Sequence, residues 1–178
     1  ITDGLPDFAW VWVVREDLRN PDVLYAGTEF GLFVSHDRGG NWQELDMKNL
    51  PTVAVHDIVQ HPRRNDLILG THGRAIWILD DATPIQQWQA ELNETDAHLF
   101  PIRESFRYAR SFTRYGEGDH RWIAQNPAYG ASITYYLNHI PDLTTNTEDD
   151  EADGENSTKS STDEEWLSLE ILNGSGEV

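Results

Sequence analysis

One order of features occurs twice in this chain, and that duplication limits the fold more than any other property of the sequence. The apolar run Ala9-Trp10-Val11-Trp12-Val13-Val14 is followed by a charged turn from Arg15 to Asp22 and a strand pattern, Val23-Leu24-Tyr25-Ala26. The pair Gly27-Thr28 and a second strand pattern, Gly31-Leu32-Phe33-Val34-Ser35, complete the unit. The order recurs as Val53-Ala54-Val55-His56-Asp57-Ile58-Val59, the turn His61 to Asp66, Leu67-Ile68-Leu69, Gly70-Thr71 and Ala75-Ile76-Trp77-Ile78-Leu79. The two Gly-Thr pairs stand 43 positions apart. Short β-branched and aromatic runs separated by Gly, Pro, Asn and Asp predict an antiparallel meander of four strands in each unit.

A lone meander cannot bury both of its faces, and arrays solve this by stacking units. A period near 40 to 50 residues is that of a propeller blade, so two blades alone are marginal and further blades are expected upstream. Seven Trp, six Tyr and six Phe supply apolar surface for such a core. No stretch approaches the roughly 18 to 20 apolar residues of a membrane-spanning helix. The formal charge is -18, half of it from residues 141–165, where ten acids face one Lys. Such a surface repels nucleic acid and anionic membranes, which removes both as expected partners. With no Cys, disulfides and thiolate metal sites are excluded.

The first unit contains Ser35-His36-Asp37-Arg38-Gly39-Gly40-Asn41-Trp42, the Asp-box pattern S-x-D-x-G-x-T-W with Asn41 in place of Thr. Asp37 is placed to accept bonds from amides of its own tight turn. Gly39 and Gly40 are expected to supply positive φ angles, and Trp42 to pack between sheets. The second unit keeps only a remnant, Leu79-Asp80-Asp81-Ala82-Thr83-Pro84 through Trp88, which reads as the end of the array.

With Tyr25-Ala26-Gly27-Thr28-Glu29-Phe30-Gly31-Leu32-Phe33 and Gly70-Thr71-His72-Gly73-Arg74-Ala75-Ile76-Trp77-Ile78-Leu79-Asp80-Asp81, that box makes the chain resemble the bacterial BNR/Asp-box repeat propeller proteins. These include glycosyl-hydrolase-like and sortilin (Vps10)-like members. The resemblance implies an all-β chain: the last two blades of a β-propeller, followed by the beginning of a β-sandwich domain. It also implies export, to the periplasm or outside the cell. The corresponding layout is two partial-propeller blades over 1–90, a connector over 91–130 that packs on the propeller, and an incomplete sandwich over 131–178. Within the last, residues 132–137 and 166–172 read as strands, and 141–165 as a disordered acidic loop.

Two functions fit that layout. One is a binding or scaffold module for a carbohydrate or a protein or peptide ligand. The other is part of a sialidase- or glucanase-like glycoside hydrolase whose catalytic carboxylates lie mainly in missing blades. Glycoside hydrolysis needs two carboxyl groups about 5 to 10 Å apart, and Asp57 and Glu29, with Asp7 behind them, are the candidates present. His56, His72 and Arg74 are candidate ligand contacts, Arg74 through the bidentate grip of a guanidinium on a carboxylate. Ser35, Asp37, Gly39 and Trp42 are assigned to turn structure. His56, His61 and His72 match no metal-ligand spacing, so no metal and no cofactor are expected.

Overall fold

The computed structural model describes residues 1–47, 49–107, 129–139 and 171. All described strands belong to one compact unit, Ile1–Pro141. The architecture is antiparallel β with little helix.

The first repeat forms a four-stranded sheet in chain order, β1 (Val11–Glu16), β2 (Leu24–Thr28), β3 (Leu32–Ser35) and β4 (Gln43–Glu44). The second forms β5 (Val55–Gln60), β6 (Leu67–Thr71) and β7 (Ile76–Leu79), again in chain order. The four-stranded expectation holds for the first unit, whereas the sheet of the second has three strands. After β7 the chain enters α1 (Thr83–Gln86) instead, with proline at its first turn. Proline has no amide to lose there and its fixed φ suits helix entry, while the Gly-Gly pair that lets the first unit turn back is missing.

The two sheets pack face to face. Val13, Tyr25, Leu32 and Val34 from the first meet Val55, Ile58, Leu67 and Leu69 from the second in one buried cluster. Gly27 lies in this seam, where a β-carbon would run into the Val55 carbonyl. The far side of the first sheet is also covered: Ala26, Phe33 and Trp42 form a second cluster, with Leu5 and Leu24 against it.

A buried polar cluster closes one end of the seam. Asp17, 3% exposed, accepts bonds from the amides of Arg19 (2.8 Å) and Asn20 (2.9 Å), the Tyr25 hydroxyl (2.8 Å) and Gln86 Nε2 (2.7 and 2.9 Å). Gln86 and Asn65 also exchange amide bonds of 2.9 Å each. The carboxylate is thus surrounded by neutral donors, which is how a buried acid avoids the cost of dehydration. Burial first, then the Asp17 charge and hydrogen bond, push the Tyr25 phenol far above its usual value.

Beyond α1 a 3-10 turn, Ala90–Glu94, leads to β8 (Ala97–Leu99), which pairs with β9 (Tyr135–Leu137). The sequence assigns 131–138 to a separate sandwich domain. In the structure this strand pairs with the connector and lies in the same compact unit as the repeats. The connector is anchored to the second repeat by Arg103, whose Nη1 donates to Asp66 Oδ1 at 2.7 Å and to the Arg64 carbonyl at 3.2 Å. The acidic stretch 141–165 and the strand expected at 166–172 lie outside the described residues, except Ile171. No helix among the described residues is long and apolar enough to cross a membrane.

Candidate functional site

Both repeats carry the same irregularity. In β1 the register with β2 shifts between Val11 and Val13; in β5 the register with β6 shifts between Val55 and Asp57. The extra residue of each bulge is Trp12 in the first repeat and His56 in the second. A bulge redirects one side chain away from strand alternation, and here it sends an aromatic ring to the same end of both sheets. The flanking turns correspond too. The Glu29 amide donates to the Trp10 carbonyl (3.0 Å), as the His72 amide does to that of Ala54 (2.9 Å). Thr28 and Thr71 each donate a hydroxyl across their own turn, to the carbonyls of Gly31 and Ala75.

These matched positions hold different chemistry. In the first repeat the Trp12 indole donates to Glu29 Oε2 at 2.9 Å. In the second, the imidazoles of His56 and His72 stack with centroids 5.0 Å apart. Across the seam Trp12 and His56 lie 4.2 Å apart, and Trp10 extends the series 6.2 Å from Trp12. The result is a row of four rings, Trp10–Trp12–His56–His72. Trp10 is 71% and Trp12 45% exposed. Phe8 and Phe30, edge to face at 5.5 Å, add a second exposed pair.

The structure therefore brings together Glu29, His56 and His72 among the sequence candidates. Arg74 follows His72 in the β6–β7 turn; its side chain is exposed, and its carbonyl accepts the Trp77 indole at 2.8 Å. Asp57 is engaged elsewhere, in an exposed ion pair with Arg15 at 2.8 Å. Asp7 is exposed in the segment before β1. His61 is at the other end of β5, where its Nδ1 accepts the Arg64 amide at 3.0 Å. Among the described residues no group of three or more His, Cys, Asp or Glu is arranged to hold a metal ion. Trp10 and Trp12 belong to the site although the sequence places them in an apolar strand run. The strand registers make Trp12 the counterpart of His56 and Glu29 that of His72. The turn after β1 is one residue longer than that after β5, so an ungapped alignment on the two Gly-Thr pairs sets Trp12 over Val55 and hides the row.

The Asp-box residues form a closed turn. Ser35 Oγ accepts the Gly39 amide (2.8 Å) and donates to Asp37 Oδ1 (2.7 Å). Asp37 accepts both the amide (2.8 Å) and the side-chain nitrogen (2.6 Å) of Asn41. Those Asn41 donors, with the Ser35 hydroxyl, hold the Asp37 carboxyl down at about 2. Asn41 thus binds the aspartate directly where the motif has Thr. The positive φ angles fall on Arg38 (58°) and Gly39 (86°) and not on Gly40. At Gly40 a β-carbon would approach Asp37 Oδ2 to 2.7 Å, so glycine is needed there for space. Trp42 is buried against Ala26 and Phe33, and its indole donates to the Ile1 carbonyl at 3.0 Å. His36 ties the box to α1 through the Ile85 carbonyl at 2.9 Å.

The fold and this ring-lined edge define an all-β protein with a duplicated antiparallel sheet. Comparison with family models, curated proteins and solved structures returned no significant match to the chain.

Proposed function

We propose that the two sheets are consecutive blades of an Asp-box β-propeller and that the chain acts as a glycan-binding module outside the cytoplasm. The observation carrying this is the exposed row Trp10–Trp12–His56–His72. Large rings left open to water in a contiguous group mark interaction surfaces. A sugar chain offers flat C–H faces to such rings and hydroxyls to groups at their edges. His56, His72, Glu29 and Arg74 supply edge groups of both donor and acceptor type.

A hydrolase needs one carboxyl group free to protonate and another free to attack or activate water. Glu29 is bonded to the Trp12 indole and Asp57 to Arg15, which favours binding over turnover. The test is a glycan array followed by calorimetry on the best ligand, with chromogenic glycosides run in parallel. Saturable binding is expected, weakened about tenfold or more by Trp12→Ala, equivalent to about 1.4 kcal/mol, with no chromophore released. Absence of glycan binding, or an affinity indifferent to Trp12→Ala, sinks the binding proposal. Release of chromophore supports the hydrolase in its place.

A further inference from the structure

With 13 Lys and Arg against 31 Asp and Glu in the chain, a cluster of positive charge is the exception. Four of those thirteen, Arg19, Arg63, Arg64 and Arg103, line one cavity of about 680 Å³. It lies at the end of the sheets opposite the ring row, beyond the C-terminal ends of β1 and β5.

The four arginines come from three segments that hydrogen bonds tie together: the β1–β2 turn, the β5–β6 turn and the connector. The Leu18 amide donates to Gln60 Oε1 at 2.7 Å and the Arg19 amide to Asp17 at 2.8 Å, which sets Arg19 beside the second turn. In that turn the Asn65 amide donates to the His61 carbonyl, and the His61 amide to the Asp66 carbonyl, both at 2.8 Å. Asn65 has a positive φ of 62°, and its buried side chain is held by Gln60 and Gln86. Arg63 and Arg64 thus sit on a closed turn whose base is fixed in the seam. Arg103 is bound to the same turn through Asp66 and the Arg64 carbonyl.

The charge around this cavity is not balanced. Asp66 takes Arg103 at 2.7 Å and Arg64 at 3.9 Å. Among the described residues the guanidiniums of Arg19 and Arg63 have neither a hydrogen bond nor an ion pair. Four guanidiniums against the carboxylates of Asp66 and Glu104 leave two positive charges uncompensated. His61 adds a donor: its Nδ1 accepts the Arg64 amide at 3.0 Å, so the neutral ring carries its proton on Nε2. Guanidinium groups take phosphate oxygens through paired N–H bonds. A phosphate monoester brings about two negative charges at neutral pH, whereas a sulfate ester of the same shape brings one. The cavity is of a size that holds a small organic molecule, and the exposed ring of Phe106 stands on its wall.

We propose that this cavity binds the phosphate monoester of a small molecule, with Arg19, Arg63 and Arg64 on the phosphate and Phe106 against its carbon body. The site rests on turn geometry and local charge, and is independent of the glycan reading of the ring row.

Calorimetry on the full chain with phenyl phosphate, phenyl sulfate and inorganic phosphate tests it. Saturable binding of phenyl phosphate is expected, weakened about tenfold or more by Arg63→Gln and by Arg19→Gln. Neither side chain has a partner to lose, so both variants should keep the melting temperature of the parent chain. Arg38→Gln removes the same charge from an arginine outside the cavity and should leave the affinity unchanged. Phenyl sulfate and inorganic phosphate should each bind more weakly by about tenfold, the first for want of a charge, the second because it leaves Phe106 bare. Failure of phenyl phosphate to bind overturns the proposal, as does a loss with Arg38→Gln equal to that with Arg63→Gln. Phenyl sulfate binding as tightly as phenyl phosphate would show that the second charge is not read. Inorganic phosphate binding as tightly would assign the site to the free anion. Either result overturns the monoester.

Discussion

Between residues 11 and 79 the chain builds the same three-stranded meander twice, with matching register and matching bulges, yet covers the two copies differently. The first copy is packed on both faces, by the second sheet and by the Trp42 cluster. Among the described residues, the second is packed on one. Where the first continues into an Asp-box and β4, the second begins the same way and then departs. Asp81, at the position of Asp37, still caps its turn, accepting the Thr83 amide at 3.1 Å. The Ala82 amide bonds the Asn65 carbonyl as the Arg38 amide bonds that of Asp22. Then Pro84 starts α1, and Gln86 folds back into the seam. The shared part is local backbone structure: a bulge early in the first strand, a glycine paired with the residue after it, and Thr at the turn. The divergent part decides which surface is left for other molecules.

Three changes sharpen this contrast. Trp42→Ala removes the ring that closes the outer face of the first sheet, a role with no partner in the second. Loss of a buried ring of this size costs about 3 to 5 kcal/mol. Urea unfolding should read that loss, with hydrogen exchange rising in β2 and β3 before β6 and β7. Equal exchange in both sheets would show that the second cluster is not specific to the first repeat.

Gln86→Leu should cost less, about 1 to 3 kcal/mol, because it strips donors from Asp17 and Asn65 without opening a large cavity. Here the contrast between repeats should vanish, since Gln86 bonds to both. Chemical denaturation followed by probes in either sheet should shift together; a shift confined to one sheet contradicts the shared role of this residue.

The smallest effect is on acid stability. Asp37 is held down to about 2 from an ordinary 3.8. A carboxyl lowered on folding stabilises the folded state above its unfolded value, and the contribution disappears as pH falls through the folded one. The Asp-box turn should therefore loosen between about pH 4 and pH 2, seen as faster exchange of the Gly39 and Asn41 amides. Asp37→Asn should flatten that window. An unchanged profile would mean that the carboxylate does not hold the turn.

Much of this was legible in the sequence for a physical reason. The repeat, its turns and the Asp-box depend on local backbone demands, which glycine, proline and short polar side chains announce within a few residues. The all-β character follows from the same signals. The ring row was harder to see because the bulges break the two-residue alternation by which strand faces are assigned: nothing in the apolar run 9–14 distinguishes Trp12, which is exposed, from Val13, the one buried residue of β1. Asp17 was hidden inside what reads as a charged turn, and its burial depends on a glutamine far along the chain. The course of β9 follows from pairing with residues 97–99, a long-range choice that its own composition does not encode.

The bond from Gln86 to Asp17 joins groups 69 residues apart. Bringing such distant points together costs chain entropy before any contact offsets it, and topologies that depend on distant contacts fold slowly. Without that bond, the Asp17 carboxylate has only the Tyr25 hydroxyl and the amides of Arg19 and Asn20. The last donors of the Asp17 shell thus come from α1, the helix that follows the second repeat's final strand.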